Sequence, residues 1–153
     1  MSWYELLKSL HVLAIATWFG SGIALTVLGY RSLAAGAGPY GSFVVNAAWW
    51  ASRAHPTAGV VALLTGFGMV ADADYSMGDT WLWLGLLGLV VSMGIGGALI
   101  GRTADGIVKS VEGAGGALPE AQRPAVGRLL LYVRIELAIV ALVVFDMVAK
   151  PGL

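Results

Sequence analysis

Four long apolar stretches, separated by short polar breaks, set the pattern of this chain. They run over about residues 3–33, 55–70, 81–100 and 126–148. A hydrocarbon core about 30 Å thick needs about 20 helical residues, so each stretch is predicted to be a membrane-crossing helix. The second is the shortest, and Gly41 to Arg53 forms a predicted helical lead-in to it. Pro56 suits either the first turn of a short helix or a kink in a longer one starting near Gly41. The breaks have turn and linker character: "AAGAGPYG" (34–41) is rich in Gly and Pro, "DADYSMGD" (72–79) is a short acidic turn, and "EGAGGALPEAQRP" (112–124) reads as a flexible connection. No internal repeat is visible. The expected fold is all-α, a four-helix transmembrane bundle in one domain over residues 1–153.

Composition strengthens this picture. Of 153 residues, 58% are hydrophobic and 12% charged, against about 25% charged in average soluble domains. Mean hydropathy is +0.82. The net charge of zero gives no reason to expect nucleic acid, and the absence of cysteine excludes disulfides, zinc–thiolate sites and iron–sulfur clusters. The first stretch has no basic leader and is too long for a signal-peptide core, so it reads as a retained helix.

Charge placement gives an orientation. Arg31 and Arg53 lie in the first loop, and Arg102, Lys109, Arg123 and Arg128 in the third. The second loop holds three aspartates and no Lys or Arg. The positive-inside rule places loops one and three in the cytoplasm. Both termini then face outward, despite Lys8 and Lys150, across what reads as a bacterial inner membrane. Trp3, Tyr4, Trp81 and Trp83 fall in the outer aromatic belt, and Trp49 and Trp50 mark the inner one.

Small residues crowd the third stretch. Gly88, Ser92 and Gly96 recur on one helical face, and Gly97 and Gly101 make a GxxxG on a neighbouring face. Such faces let membrane helices approach closely. Two readings stand: tight packing inside the bundle, and a seam with a second copy or another membrane partner.

Ionisable residues inside a membrane are costly and mark candidate sites. His11 lies about 12 Å below Trp3, and Glu136 about 15 Å from Val126, at 1.5 Å per residue. They fall at similar depth if their helices are neighbours. Arg134 points away from Glu136, since residues two apart on a helix do not face each other, and suits snorkelling toward the inner headgroups. Asp146 lies near the outer edge, within expected reach of Lys8. His11, Ala14, Ile15, Trp18, Gly22, Leu25 and Gly29 share one stripe, a wall suited to a flat cofactor. His11 reads as a packing residue bonded to Glu136 or to a backbone carbonyl, as a haem or metal ligand, or as part of a proton relay. His55 lies about 13 Å from the depth of His11. Two axial nitrogens on one metal are only about 4 Å apart, so ligation of one metal by both is disfavoured, and His55 reads as interfacial or as a second ligand. Copper draws little support, because Met69, Met77, Met93 and Met147 are scattered.

At "KSLHVLAIATWFGSGI" the residues Lys8, His11, Trp18 and Gly22 resemble the first-helix pattern of several bacterial inner-membrane families. These are the copper-resistance D type and the haem-dependent membrane protoporphyrinogen oxidases. Over most of its length the chain is similar to a family of small four-span integral membrane proteins of unknown function. That likeness includes "HP…LLTGFGMV" (55–70) and the W-x-W-L-G-L that opens the third stretch. The oxidase resemblance implies a haem b ligand at His11, with Lys8 at an accompanying position. The chain departs from that pattern at Val27, where the oxidases carry an arginine; Arg31 lies one turn on, and the later Lys/Trp pattern is missing. It also lacks the larger multi-span body of the copper-resistance type.

Three functions follow as expectations. One is a small haem-b redox protein or subunit, with His11 as ligand, Trp18, Gly22 and Glu136 shaping the pocket, and Arg134 facing a propionate. Another is a non-catalytic accessory subunit that packs through the Gly-rich third helix. The third is a small transporter or metal-uptake protein, for which only Pro56 suggests the expected broken helix. No P-loop, dinucleotide fingerprint, nucleophile elbow or paired metal-binding His motif is present.

Overall fold

A computed structural model describes residues 2–73, 75–76 and 78–150. Asp74 of the acidic turn and Met77 lie outside the described residues. Helix α1 spans Trp3–Ala35. It starts at a capping box: the Ser2 hydroxyl accepts from the Glu5 amide at 3.2 Å, and the Glu5 carboxylate accepts from the Ser2 amide at 2.7 Å. It stops at Gly36, whose φ of +122° is available only to glycine at low cost. Helix α2 then runs without interruption over Ala37–Asp72.

The predicted second span at 55–70 is therefore part of a longer helix that includes its lead-in. Of the two roles open to Pro56, the interior one is realised. Proline has no amide to offer the Ser52 carbonyl. Hydroxyl contacts reinforce the helix around that gap: Ser52 donates to the Trp49 carbonyl at 3.0 Å and Thr57 to the Arg53 carbonyl at 2.7 Å.

Helix α3 spans Thr80–Gly94. It passes through a π-helical stretch, Ile95–Gly101, straight into α4, Arg102–Gly113. The third apolar stretch thus does not end its helix near residue 100, and the region after it, expected as loop, is helical. The reason is amphipathicity. Ile107 and Val111 are buried while Arg102, Asp105, Lys109 and Glu112 are exposed, a pattern with helical period but little net hydrophobicity. A 3₁₀ turn, Glu120–Gln122, leads into α5, Arg123–Ala149, with Pro124 in its first turn.

Among the described residues three stretches, Trp3–Ala35, Ala37–Asp72 and Thr80–Gly113, are long and apolar enough to cross a membrane. Helix α5 has 27 residues and carries Arg134, Glu136 and Asp146 along its apolar run.

Two packed regions hold the helices together. In one, Trp18, Ala58 and Val140 join α1, α2 and α5, with Phe19 and Leu89 against them. In the other, Tyr40, Val44, Ile107, Val111, Leu118 and Val126 join the start of α2, α4, the following loop and the start of α5. The second is the denser: Ile107 has no exposure and Tyr40 only 1%. The Leu118 amide ties the loop back to the Ala37 carbonyl at 3.0 Å. This end of the molecule also carries Arg102, Lys109, Arg123 and Arg128. At the opposite end Lys150 donates a hydrogen bond to the Tyr75 hydroxyl, and its ammonium lies 5.1 Å from the Trp81 ring centre. The Tyr75 and Trp81 rings meet edge-on at 5.2 Å.

Candidate functional site

All four long helices meet around Trp18. Its ring is 3% exposed, and its indole N–H donates to Glu136 Oε1 at 3.3 Å. Close approach depends on glycine from two other helices. A Cβ at Gly59 of α2 would stand 3.0 Å from Trp18 Cζ3, and one at Gly96 would stand 3.2 Å from Glu136 Oε1. His55 stacks over the Trp18 ring at 6.4 Å with 22° between planes. Its Nε2 lies 2.9 Å from the Ser21 hydroxyl, which donates to the Trp18 carbonyl at 3.2 Å. The cluster is thus Trp18 and Ser21 from α1, His55 and Gly59 from α2, Gly96 from the π-helical stretch, and Glu136 from α5.

Glu136 is the least balanced member. It is 4% exposed, and its one hydrogen-bond donor is the indole. Among the described residues it has no ion-pair partner. An isolated carboxylate is expensive to bury, and a single donor does not offset the lost hydration. A carboxyl group in this position is stable when it holds a proton or meets a cation. The wall opposite it is unusual too. A π-helical stretch is rare and occurs often at functional sites. One turn away, Ser92 is 1% exposed and its hydroxyl has no partner.

His11 is not part of this cluster. Its Nδ1 lies 2.9 Å from the Ala62 carbonyl and 3.2 Å from the Thr65 hydroxyl. A carbonyl accepts only, so Nδ1 carries the proton. Of the expected partners, the backbone carbonyl is the one found; Glu136 is level with Trp18, about 10 Å further along α1. His55 is tied to α1 through Ser21. It is half-buried between α1 and α2, because the continuous α2 carries it to the level of Ser21. Ser21 is ten residues beyond His11, about 15 Å along the helix. The two histidines therefore do not share one metal. Among the described residues no group of three His, Asp or Glu is placed to hold one.

The stripe expected to wall a flat cofactor is occupied along part of its length. Among the described residues His11 Nε2 has no partner, as a ligating nitrogen requires. Further along the stripe, space is filled by protein side chains. The Trp18 ring lies on Gly59, and Leu137 Cδ2 fills the notch at Gly22, 2.8 Å from where a Cβ would stand. A surface groove of about 470 Å³ lies between α1 and α2 beside Leu13, Thr17, Trp50 and Arg53, and neither His11 nor Glu136 lines it. At Gly22 and against Gly59, therefore, the stripe offers no open face.

The other expected residues fall as follows. Arg134 is exposed, with its guanidinium 5.2 Å from the Tyr30 ring centre, and it faces away from Glu136. Among the described residues Asp146 does not pair with Lys8, and its Oδ2 is buried without a partner. Gly88, Ser92 and Gly96 face α5, where Val143 and Glu136 occupy the space a side chain at Gly88 or Gly96 would need. Gly97 points away from the bundle with nothing within 4 Å, and Gly101 packs toward the Gly96 carbonyl. Ser21 and Thr65 escaped notice in the sequence because hydroxyls are common on membrane helices. Ser21's three-residue spacing from Trp18 was the available signal.

A family model described as a predicted integral membrane protein matches residues 5–151. The chain belongs to this family, DUF2269. Neither a curated protein nor a solved structure matches it. Membership agrees with the likeness to small membrane proteins of unknown function seen in the sequence. It lends no support to the first-helix likeness to the haem-dependent oxidases or the copper-resistance proteins. For a DUF2269 protein the apolar faces of α1, α2 and α3 are surfaces for lipid.

Proposed function

We propose that this protein crosses a bacterial cytoplasmic membrane four times, with its basic end inside, and that its working group is the Glu136 carboxyl, a site that binds and releases one proton. The observation that carries the reading is the burial of this carboxyl against one indole N–H with no cation beside it. Depth supports it. Glu136 lies about 21 Å from Lys150 and about 12 Å from Arg128 along α5, inside a hydrocarbon core about 30 Å thick. Ionisable groups at such depth are rare unless used.

The neighbours have distinct tasks. Trp18 holds Glu136 Oε1 from the edge of its ring and stacks one face on His55. Ser21 orients His55, and Gly96 leaves the carboxyl room on its fourth side. Infrared difference spectra of the protein in lipid nanodiscs, taken across a pH step, test the proposal. Wild type is expected to give a carboxyl C=O band that Glu136→Gln removes and Glu136→Asp shifts. A band that survives in Glu136→Gln, or no band at all, defeats it.

The open Gly97 face favours a second role, assembly with a membrane partner. Gly97→Leu then lowers recovery of the assembly from membranes while the isolated chain remains as stable as wild type. Unchanged assembly removes this second reading and leaves the first intact.

A further inference from the structure

A second polar site lies at the basic end, away from Glu136. Helices α4 and α5 diverge there to leave a cleft of about 280 Å³ lined by Arg102, Thr103, Gly106, Gln122, Ala125 and Arg128. The local sequence explains the cleft. Ile107 and Val111 turn one way into the buried core, so the adjoining face of α4 presents Arg102, Thr103 and Gly106 to α5. Gly106 supplies no side chain, and a Cβ there would meet nothing within 4 Å. Gln122 donates from Nε2 to the Ser110 hydroxyl at 2.9 Å and closes one end.

The two arginines are what set this cleft apart. Arg123 nearby is already paired with Glu120 at 2.7 Å, Arg53 lies over Trp49, and Arg134 lies over Tyr30. Arg102 and Arg128 have neither an ion pair nor a ring contact among the described residues, and both line the same cleft. Asp105, three residues from Arg102, does not engage it. A guanidinium fork matches the oxygens of a phosphate group; the Thr103 hydroxyl already donates to the Leu99 carbonyl at 2.6 Å, so the two arginines supply the donors. The first turn of α5 adds the partial positive charge of a helix start.

Depth points the same way. Arg102 lies about 31 Å along its helix from Trp81, and Arg128 about 33 Å from Lys150, at 1.5 Å per residue. Both distances match the thickness of a hydrocarbon core. The arginines on α4 and α5 thus reach the level of lipid phosphates on the side where basic clefts between membrane helices hold anionic headgroups.

We propose that this cleft binds a phosphate group, carried by an anionic lipid headgroup or present as free phosphate. The lipid source rests on the bilayer placement proposed above; the anion chemistry does not. Native mass spectrometry from nanodiscs of phosphatidylcholine with phosphatidylglycerol tests the lipid arm. Titration of inorganic phosphate into the detergent-solubilised protein, with no bilayer, tests the other.

Wild type is expected to retain phosphatidylglycerol in preference to phosphatidylcholine. Arg102→Gln and Arg128→Gln each weaken retention roughly fivefold. Gly106→Leu, which fills the cleft without changing charge and favours the helix, abolishes it. Arg123→Gln leaves it unchanged. Phosphate that displaces the lipid assigns the free anion as ligand, and lipid retained against phosphate assigns the headgroup. Phosphate binding in detergent with no lipid preference in nanodiscs upholds the site while rejecting the bilayer placement. Equal retention of both lipids together with no phosphate binding, or wild-type behaviour in both Gly106→Leu and the double arginine variant, overturns the proposal.

Discussion

Single side chains set the close approaches in this molecule. Gly41 on α2 packs so tightly that a Cβ there would fall on the Gly116 carbonyl oxygen, and backbone cannot move aside cheaply. Gly41→Ala is expected to lower stability by about 1–3 kcal/mol, measured as loss of helical signal on heating in detergent. Gly97→Ala, with open space around it, is expected to leave the midpoint unchanged or to raise it slightly. Equal effects at the two positions would contradict this packing. Tyr75 offers a second residue-scale test. The hydrogen bond from Lys150, with a smaller one from Tyr4, holds its phenol below the ordinary tyrosine range. A depressed acid contributes stability above its unfolded pKa and loses it as pH falls through the folded value. The effect is thus confined to alkaline solution and adds nothing at neutral pH. Ultraviolet titration is expected to show one phenol ionising early, and Lys150→Met is expected to return it to the common range. A titration indifferent to Lys150→Met counts against the contact.

Among the elements, α1 and the apolar part of α3 were legible because each carries an uninterrupted apolar run of membrane length. The start of α2 was harder to read. Residues 41–53 mix Ser42, Asn46, Ser52 and Arg53 with apolar positions, and Pro56 follows; neither hydropathy nor proline alone distinguishes a lead-in from a continuous helix. Helix α4 was missed for a clearer reason. Its evidence lies in the phase of Ile107, Val108 and Val111, while its composition is that of a loop. The candidate site was legible by residue and not by pairing. Trp18, His55 and Glu136 stood out as chemistry-bearing, yet their contacts cross three helices whose relative register no single helix encodes. The buried core at α4 carries its own prediction. Ile107→Ala, at a site with no exposure, is expected to cost about 2–5 kcal/mol. The same change at Leu131, half exposed on α5, is expected to cost less than about 0.5 kcal/mol. Denaturation of both variants in one detergent decides the matter, and comparable losses would deny that α4 docks as described.

For the whole molecule, the two packed regions divide the labour. The dense one at the basic end anchors α4 and the loop against α2 and α5, and the sparser one surrounds the buried carboxyl. The start of α1 and the end of α5 come together beside Tyr75, and the absence of cysteine from the sequence makes the proposed four crossings easy to test. A lone cysteine at Ser76 is expected to react with an impermeant thiol reagent from outside the cell, and one at Glu112 only after the membrane is opened. The same response at both positions would refute the four-span arrangement. The central claim concerns the proton on Glu136, and its most direct measurement is a proton count. Purified wild type and Glu136→Gln in matched nanodiscs are titrated with acid, and the protons bound per chain are compared. The account predicts that wild type takes up one more proton than the variant, whereas identical uptake contradicts it.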